Sequence, residues 1–328
     1  MEKYFVQYMV IFLCIMLYPR RTKTMKVTKE THFGIQRKIV ANMTSESWET
    51  IPHISYIYEP EVSRFLEVVK ELNASGKFPV KITVNTIMLK ALSEAFKAAP
   101  CLNAHIDFNR KLVRGKITEF DEIHVSMTWI LPNGEMMTLN LHDIGNKNLV
   151  ELTEYIADVG RRIGNTDLNE VMFSVSMHDT IKKLKKGKII QVLQRLIGSK
   201  TGKHRVKTLS GKAKKAYKAI PEKDRLTKYD IEQGTVTVSN IGSVTRGIPG
   251  RVALLSIIPP QVFVACIGAV NKKPVVKQDE NGNDIIVVGN EMPIDLVFDH
   301  RACDFGDLVP FINKLEDIFK NPEQMYNW

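Results

Sequence analysis

The chain has 328 residues, of which 44% are hydrophobic and 25% are charged, a composition that is ordinary for a globular protein and excludes an intrinsically disordered one. Its net charge is +10, yet residues 182–228 contain 17 lysines and arginines against 2 acidic residues. The basic charge therefore belongs to one segment, and the rest of the chain is slightly acidic.

Cysteines occur at positions 14, 101, 266 and 303, with neither paired spacing nor the spacing of a zinc site. We therefore expect no disulfide framework and no bound metal, which is typical of a reducing, cytoplasmic compartment. Cys303 is expected to pack as a small apolar residue.

The first 24 residues contain an apolar stretch from Tyr4 to Tyr18, which Arg20 and Arg21 follow. A bilayer span needs about 20 apolar residues, so this stretch is short for a transmembrane helix. Two interpretations stay open. The segment is either a weak anchor that keeps the next domain in the cytoplasm, or an artefact of a chain whose translation starts at Met25. Residues 25–328 are predicted to form one domain.

The first half of this domain alternates helical and strand-like patterns. Alternation of polar and apolar residues predicts a strand over Thr50 to Tyr58. Amphipathic spacing predicts helices over Val62 to Leu72, Thr83 to Ala98 and Leu149 to Ile163. Further short strands are expected around residues 112–113, 122–129 and 135–141, with a turn at Pro132-Asn133-Gly134.

A basic insert is predicted at about residues 165–229. Its apolar stripe runs from Ile189 to Ile197 and lies beside Lys182, Lys183, Lys185, Lys186, Lys188 and Arg195. Such a basic amphipathic helix can cover an apolar patch of its own protein, lie on an anionic membrane or acidic partner, or bind phosphate groups. Because only Tyr217 interleaves with the lysines, base stacking is poorly supported and nucleic acid is not an expected partner.

The last third returns to strands. Gly234 to Ser243 and Pro259 to Gly268 have strand character, and Glu280-Asn281-Gly282 is typical of a hairpin turn. A further apolar run, Pro293 to Phe298, is predicted to be the strand that follows this hairpin.

That final strand ends in His300, and Asp304 follows as an amphipathic helix begins. A strand end is a rigid mount, and histidine is the side chain best suited to move a proton near neutral pH. Capping of the strand and of the helix is the commoner use of such residues. From these residues alone both interpretations stay open.

The run His-Arg-x-x-Asp resembles the signature of the acyltransferase core of 2-oxo acid dehydrogenase complexes, the dihydrolipoamide acyltransferases. Chloramphenicol acetyltransferase shares that fold and a related motif. Two further blocks resemble the same family: Gly34 to Tyr58, as its opening helix and strand, and Gly234 to Gly268, as its Ser-Asn-x-Gly strand and the strand after it. The resemblance implies an α/β fold, a two-layer mixed sheet covered by helices, in a trimer with active sites between subunits.

The resemblance also implies roles for individual residues. His300 would be the general base, and Ser239 would be the hydroxyl that stabilises the oxyanion. Asp304 would pair with Arg37 and, together with Arg301, would hold the structure around the histidine. The local pattern alone leaves Ser239 open as a serine that closes a turn at a strand end.

Two further positions, His53 and the residue after Asp304, bear on whether the chain is active. The family has no proton-transfer role for the position of His53, which we therefore expect to be structural. Where the family has glycine directly after the aspartate, this chain has Phe305, and Gly306 comes one position later. If that position requires a positive φ, phenylalanine would be strained there, so a catalytically inactive relative stays open.

The resemblance covers about Phe33 to Phe319, the catalytic domain alone, so we expect no lipoyl domain, no attached lipoyl group and no subunit-binding domain in this chain. It implies a stand-alone acyltransferase that moves an acyl group from acyl-coenzyme A directly to a thiol, hydroxyl or amine. The alternatives are a dihydrolipoamide acyltransferase acting on a lipoyl domain in trans, or an inactive scaffold. Expected partners are acyl-coenzyme A, a small acceptor, further copies in a homotrimer or larger oligomer, and an anionic membrane at the insert.

Overall fold

The computed structural model describes residues 25–130, 136–185, 187, 189–245 and 248–328. The chain divides into two units, residues 1–32 and 33–328. Residues 25–32 have no regular secondary structure, and every helix and strand below lies in the second unit. The expectations for residues 1–24 and for the turn at 132–134 lie outside the described residues.

The described elements alternate in the way an α/β fold requires. The α-helices are α1 (Ile35–Thr50), α2 (Ser63–Ala74), α3 (Val84–Ala98), α4 (Leu149–Gly164), α5 (Leu168–Lys185), α6 (Ile189–Lys200), α7 (Gly211–Ala219), α8 (Lys228–Ile231) and α9 (Phe305–Lys320). The strands are β1 (His53–Tyr58), β2 (Ala104–Asn109), β3 (Arg114–Glu119), β4 (Val125–Ile130), β5 (Met136–Leu141), β6 (Val236–Asn240), β7 (Phe263–Ile267), β8 (Asn271–Gln278), β9 (Asp284–Glu291) and β10 (Ile294–Asp299).

Six strands form one mixed sheet in the order β1-β10-β7-β6-β4-β5. The neighbours β6 and β7, and β4 and β6, are parallel, whereas β10 is antiparallel to both β1 and β7. Strands β2 and β3 form one separate two-stranded ribbon, and β8 and β9 form another. The predicted mixed α/β fold is confirmed.

The main core lies between this sheet and the helices α3 and α9. Its centre is a cluster of three rings, Phe96 of α3, Phe263 of β7 and Phe311 of α9, with centroids 5.0–5.6 Å apart and almost no exposed surface. Rings of this size bury large apolar areas, so the cluster fixes α9 against the central strands. The helix that follows the predicted signature is thereby held firmly in place.

Two details differ from the sequence prediction. The strand expected at residues 112–113 is instead the turn between β2 and β3, where Val113 has a φ of +47°. The basic amphipathic helix expected over residues 182–197 is two helices, α5 and α6. Gly187 separates them with a φ of +74°, a left-handed conformation that ends a helix. Across the described ranges, no helix is long and apolar enough to cross a membrane.

The turn after β6 requires a close approach of two backbones. The N–H groups of Ile241 and Gly242 both donate to the carbonyl of Ile267, at 3.0 and 3.1 Å. A Cβ at Gly242 would lie 2.6 Å from the carbonyl carbon of Gly268, and this backbone atom cannot move aside cheaply. The Ser-Asn-Ile-Gly block therefore ends in glycine because two strands meet there.

We predict that Gly242→Ala lowers the free energy of unfolding by on the order of 1–3 kcal/mol, because the added methyl group overlaps backbone. Gly306→Ala is the matched control. It lies in the first turn of α9 with no atom within 4 Å of the added carbon, so it should leave stability equal or slightly higher. Urea unfolding at equal protein concentration compares the two. Equal stability of both variants would contradict the close approach.

Candidate active site

The end of β10 carries a buried ion pair. Asp299 is fully buried, and its carboxylate accepts hydrogen bonds from Arg301 Nε at 3.0 Å, Arg301 Nη2 at 2.6 Å and the Arg301 backbone N–H at 2.9 Å. The backbone N–H of Asp299 donates to Val262 at 2.9 Å. A buried carboxylate satisfied in this way fixes the backbone on both sides of His300. These hydrogen bonds support the structural role predicted for Arg301.

Sequence reasoning assigned no role to Asp299. The available signal was a charged residue at the end of an otherwise apolar run. Such a residue is rarely buried without a partner, and the partner lies two positions further along the chain.

His300 projects from this turn into solvent. Its backbone N–H donates to Pro52 at 3.0 Å, while its side chain is 49% exposed. The Nδ1 atom lies 3.3 Å from the Asp304 carboxylate. This contact favours the tautomer with the proton on Nδ1, which leaves Nε2 with a lone pair that can accept a proton. His300 and Asp304 are thus brought together in the arrangement that a general base and its orienting group would require.

Asp304 occupies the N-cap position of α9 as well. Its backbone N–H donates to the Asp307 carboxylate at 2.8 Å. The capping interpretation and the catalytic one are therefore compatible, because the cap contact leaves the Asp304 carboxylate near His300.

The expected ion pair between Asp304 and Arg37 is not found among the described residues. Arg37 is exposed on α1 and makes no ion pair there, and the Asp304 side chain is 82% exposed beside His300. The reason is local: the turn at Asp299 to Arg301 places Asp304 one helical turn from its own histidine. Within the described part of the chain, neither Arg37 nor Ser239 makes a hydrogen bond or ion pair to His300 or Asp304.

Phe305 does not strain the loop. It is the first residue of α9 and is not among the residues with positive φ. Its ring is 47% exposed and packs edge-on against Tyr56 at 5.3 Å. The position therefore does not require glycine, and the backbone at Phe305 gives no indication of an inactive relative.

Ser239 lies near the end of β6. The turn beyond it is closed by Asn240, whose Oδ1 accepts from the Ser243 N–H at 3.0 Å. Within the described part of the chain, the half-buried Ser239 hydroxyl makes no hydrogen bond. It is therefore free to donate to a ligand, and the interpretation of Ser239 as a turn-closing residue is wrong.

Ser239 and His300 lie at opposite ends of the sheet. In the sheet, Ser239 of β6 pairs with Cys266 of β7, and Cys266 pairs with Asp295 of β10. His300 follows Asp295 by five positions along the chain. At about 3.3 Å per residue, this places the two side chains on the order of 15–20 Å apart. They cannot contact one carbonyl group within one chain.

His53 is built into the structure. Its Nε2 lies 3.2 Å from the Ser47 hydroxyl and accepts from the Ile257 N–H at 3.1 Å. Burial lowers the pKa of His53, so the ring is neutral at pH 7. With its Nε2 occupied and its ring half-buried, His53 has the contacts that the predicted structural role requires.

Cys303 is close to the site yet unsuited to nucleophilic chemistry. It is buried, and burial raises the pKa of its thiol to about 12. Cys101, Cys266 and Cys303 are all free thiols. Cys303 therefore packs as a small apolar residue.

A family model for 2-oxoacid dehydrogenases acyltransferase (catalytic domain) matches residues 24–179 and 200–327. The segment outside the match is therefore 180–199, much shorter than the insert expected at 165–229. The predicted family resemblance is confirmed.

Among curated relatives, the chain is similar to the dihydrolipoyllysine-residue acetyltransferase component of the pyruvate dehydrogenase complex of Rickettsia prowazekii. The two are 24% identical over 88% of this chain and 53% of the relative. The chain thus spans about half the length of that relative.

Two solved structures share the fold: the cubic core of the pyruvate dehydrogenase multienzyme complex, and the dihydrolipoamide acetyltransferase of Azotobacter vinelandii. Each is 16% identical, with a TM-score of 0.62 over 94% of this chain and 97% of the other. At this identity the comparison supports the fold alone.

Acid should destabilise the fold. Burial lowers the pKa of His53, His105 and His142 below the ordinary value of 6.5. Below pH 6.5 the unfolded chain therefore binds protons that the folded chain does not, and stability falls as pH falls. We predict that the free energy of unfolding drops between pH 7.5 and 5.5, by up to about 1.4 kcal/mol per histidine per pH unit.

Urea unfolding at the two pH values measures this slope. His53→Gln removes one of the three groups, so its slope should be shallower than that of the wild type, whatever its absolute stability. A wild-type stability that is constant or rises on acidification would contradict the burial of these rings.

Proposed function

The chain belongs to the family of 2-oxoacid dehydrogenase acyltransferase catalytic domains, and we propose that it transfers an acyl group from acyl-coenzyme A directly to a thiol, hydroxyl or amine acceptor. One observation carries the proposal: His300 follows the end of a buried strand, its Nδ1 lies 3.3 Å from the Asp304 carboxylate, and half of its side chain is exposed. A base needs this arrangement before any substrate arrives.

In the proposed reaction, His300 Nε2 removes the proton from the acceptor as the acceptor's heteroatom attacks the thioester carbonyl. The C=O bond opens to an oxyanion, and the tetrahedral intermediate then expels the coenzyme A thiolate. The imidazolium returns its proton to that thiolate. His300 ends neutral, no acyl-enzyme forms, and Asp304 holds the ring in one tautomer throughout.

Ser239 is proposed to donate its hydroxyl to the developing oxyanion. The hydroxyl is unpaired among the described residues, and a preorganised donor is worth about 10²–10³ in rate. Because Ser239 is on the order of 15–20 Å from His300 of the same chain, the proposal requires Ser239 of a neighbouring subunit. Each active site would then lie between two copies in a homotrimer or larger homo-oligomer.

The Azotobacter vinelandii structure concerns the roles of a serine, a histidine and an asparagine in catalysis. That asparagine follows its histidine by four positions, as Asp304 follows His300. The shared spacing supports an orienting role for Asp304, since either side chain offers an oxygen to the ring.

A second candidate is a dihydrolipoamide acyltransferase that acts on a lipoyl domain supplied in trans. The relatives named as dihydrolipoyllysine-residue acetyltransferases favour it. The two candidates share the donor and the base and differ only in the acceptor. The third, an inactive scaffold, lost its main support when Phe305 proved to be unstrained.

We predict that His300→Ala lowers kcat by on the order of 10³-fold or more, because the base is removed. Asp304→Ala should lower kcat about 2- to 5-fold, since an exposed ion pair contributes at most about 1 kcal/mol. Asp304→Asn retains an oxygen and should keep more activity than Asp304→Ala. Release of coenzyme A thiol from a panel of acyl-coenzyme A esters measures these rates.

The acceptor panel contains dihydrolipoamide, a lipoylated domain, small alcohols and small amines. A preference for either lipoyl acceptor would identify the second candidate, and a small alcohol or amine would identify the stand-alone enzyme. Full activity of His300→Ala would refute His300 as the base. If wild-type protein binds coenzyme A but turns over no pair of acyl donor and acceptor, the inactive scaffold is the remaining candidate.

The shared active site has its own test. We predict that Ser239→Ala and His300→Ala are each nearly inactive as homo-oligomers, and that oligomers reassembled from both chains regain part of the activity. In the mixture, a wild-type Ser239 meets a wild-type His300 at some interfaces. Activity that stays at the level of the single variants, in oligomers verified to be mixed, would contradict the site between subunits.

A further inference from the structure

Residues 180–199, here called the basic hairpin, are the segment that the family model does not match. They comprise the last turns of α5, the break at Gly187 and nearly all of α6, and the two helices contact each other. The segment contains five lysines, Arg195 and no acidic residue. It lies outside the match to the acyltransferase domain, so the match gives no account of what this segment does.

The basic hairpin exposes several large aliphatic side chains to solvent. Six aliphatic side chains are between 49% and 73% exposed: Ile181, Leu184, Ile189, Ile190, Leu193 and Ile197. On α6, Ile189, Leu193 and Ile197 are spaced by four residues and so lie along one face. Val192 is buried instead, at 6% exposure, on the side that packs on the protein. The exposed stripe is therefore separate from the face that holds α6 in place.

The base of the basic hairpin is attached to the domain. Lys38 of α1 donates to the carbonyl of Gly198 at 2.6 Å and to that of His204. The start of α5 is also fixed, because Val171 and Met172 are buried. The exposed stripe is thus carried on a segment anchored at both ends, as a docking surface requires.

Charge and apolarity together select the partner. An exposed aliphatic stripe within a segment of charge +6 matches the interface of an anionic bilayer, which offers acyl chains next to phosphate groups. Nucleic acid would use the charge and leave the aliphatic groups in water. A second copy of the hairpin would bury the aliphatic groups and bring equal charges together, which is unfavourable.

We infer that the basic hairpin docks this protein on a membrane surface rich in anionic lipid, with the stripe of α6 inserted among the headgroups. The acyltransferase domain is thereby held at the bilayer without a transmembrane helix from the described residues. Anionic lipids are concentrated in the cytoplasmic leaflet, which is the face on which the domain would act.

The test is co-sedimentation of the full chain with vesicles of phosphatidylcholine alone and of phosphatidylcholine with about one third phosphatidylglycerol. The apolar variant is Ile189→Ser/Leu193→Ser/Ile197→Ser. The charge variant is Lys182→Gln/Lys183→Gln/Lys185→Gln/Lys186→Gln. The matched control, Val276→Ser/Ile286→Ser/Val288→Ser, removes equally exposed aliphatic groups from the β8–β9 ribbon.

We expect the wild type and the control to bind anionic vesicles and to ignore neutral ones. Both hairpin variants should bind on the order of tenfold more weakly or worse, with unchanged thermal unfolding. Added salt should weaken wild-type binding, since the attraction to lipid phosphate is screened. These results together would support the proposal.

Other outcomes would overturn it. Equal binding to neutral vesicles, or binding that survives in both hairpin variants, would assign the membrane contact to another segment, such as residues 1–24. Absence of vesicle binding with a smaller oligomer in the apolar variant would make the hairpin an interface between copies. Absence of vesicle binding with retention on duplex DNA, lost only in the charge variant, would make it a nucleic-acid surface.

Discussion

The arrangement of the proposed site depends on one buried ion pair. Asp299 ends a strand that is buried along its whole length, and a buried carboxylate without a partner would be strongly destabilising. Arg301 satisfies it with two side-chain nitrogens and its backbone N–H, which requires the chain to turn immediately after the strand. His300 lies between the two and is therefore directed outward. The rigidity of the proposed base thus comes from neighbours that transfer no proton.

The sheet imposes the second constraint. Because β10 is antiparallel to β7 and β7 is parallel to β6, the C-terminal ends of β10 and β6 lie at opposite ends of the sheet, measured along the strands. The Ser239 hydroxyl at one end of the sheet and the His300 imidazole at the other end can serve one reaction only if two copies of the chain meet. Oligomerisation, in this proposal, completes the active site and does more than stabilise the fold.

The two proposals concern different parts of the molecule. The proposed chemistry uses residues within the family match, on the central sheet and the helix α9. The proposed membrane contact uses residues 180–199, which the family model leaves unmatched. A membrane contact through this segment would change where the enzyme acts and would leave the residues of the proposed active site unchanged.

The sequence by itself determined what depends on neighbours along the chain. These features are the strand that ends in His300, the helix that begins beyond Asp304, the strand that carries Ser239, and the charge of residues 182–228. They follow from local periodicity and from short blocks typical of one family. The tertiary structure decided which side chains meet. It placed Asp304 beside His300 and left Arg37 apart, buried Asp299 against Arg301, and freed Ser239 by closing the turn with Asn240. It also split the basic segment at Gly187 and separated Ser239 from His300 across the sheet. The positions of Arg37 and Ser239 relative to His300 are set by strand order and packing between elements far apart in the chain, and no local pattern encodes them. The contacts of Asp304, Asp299 and Asn240 join residues two to four positions apart, and they form because packing selects the turn at the end of each strand.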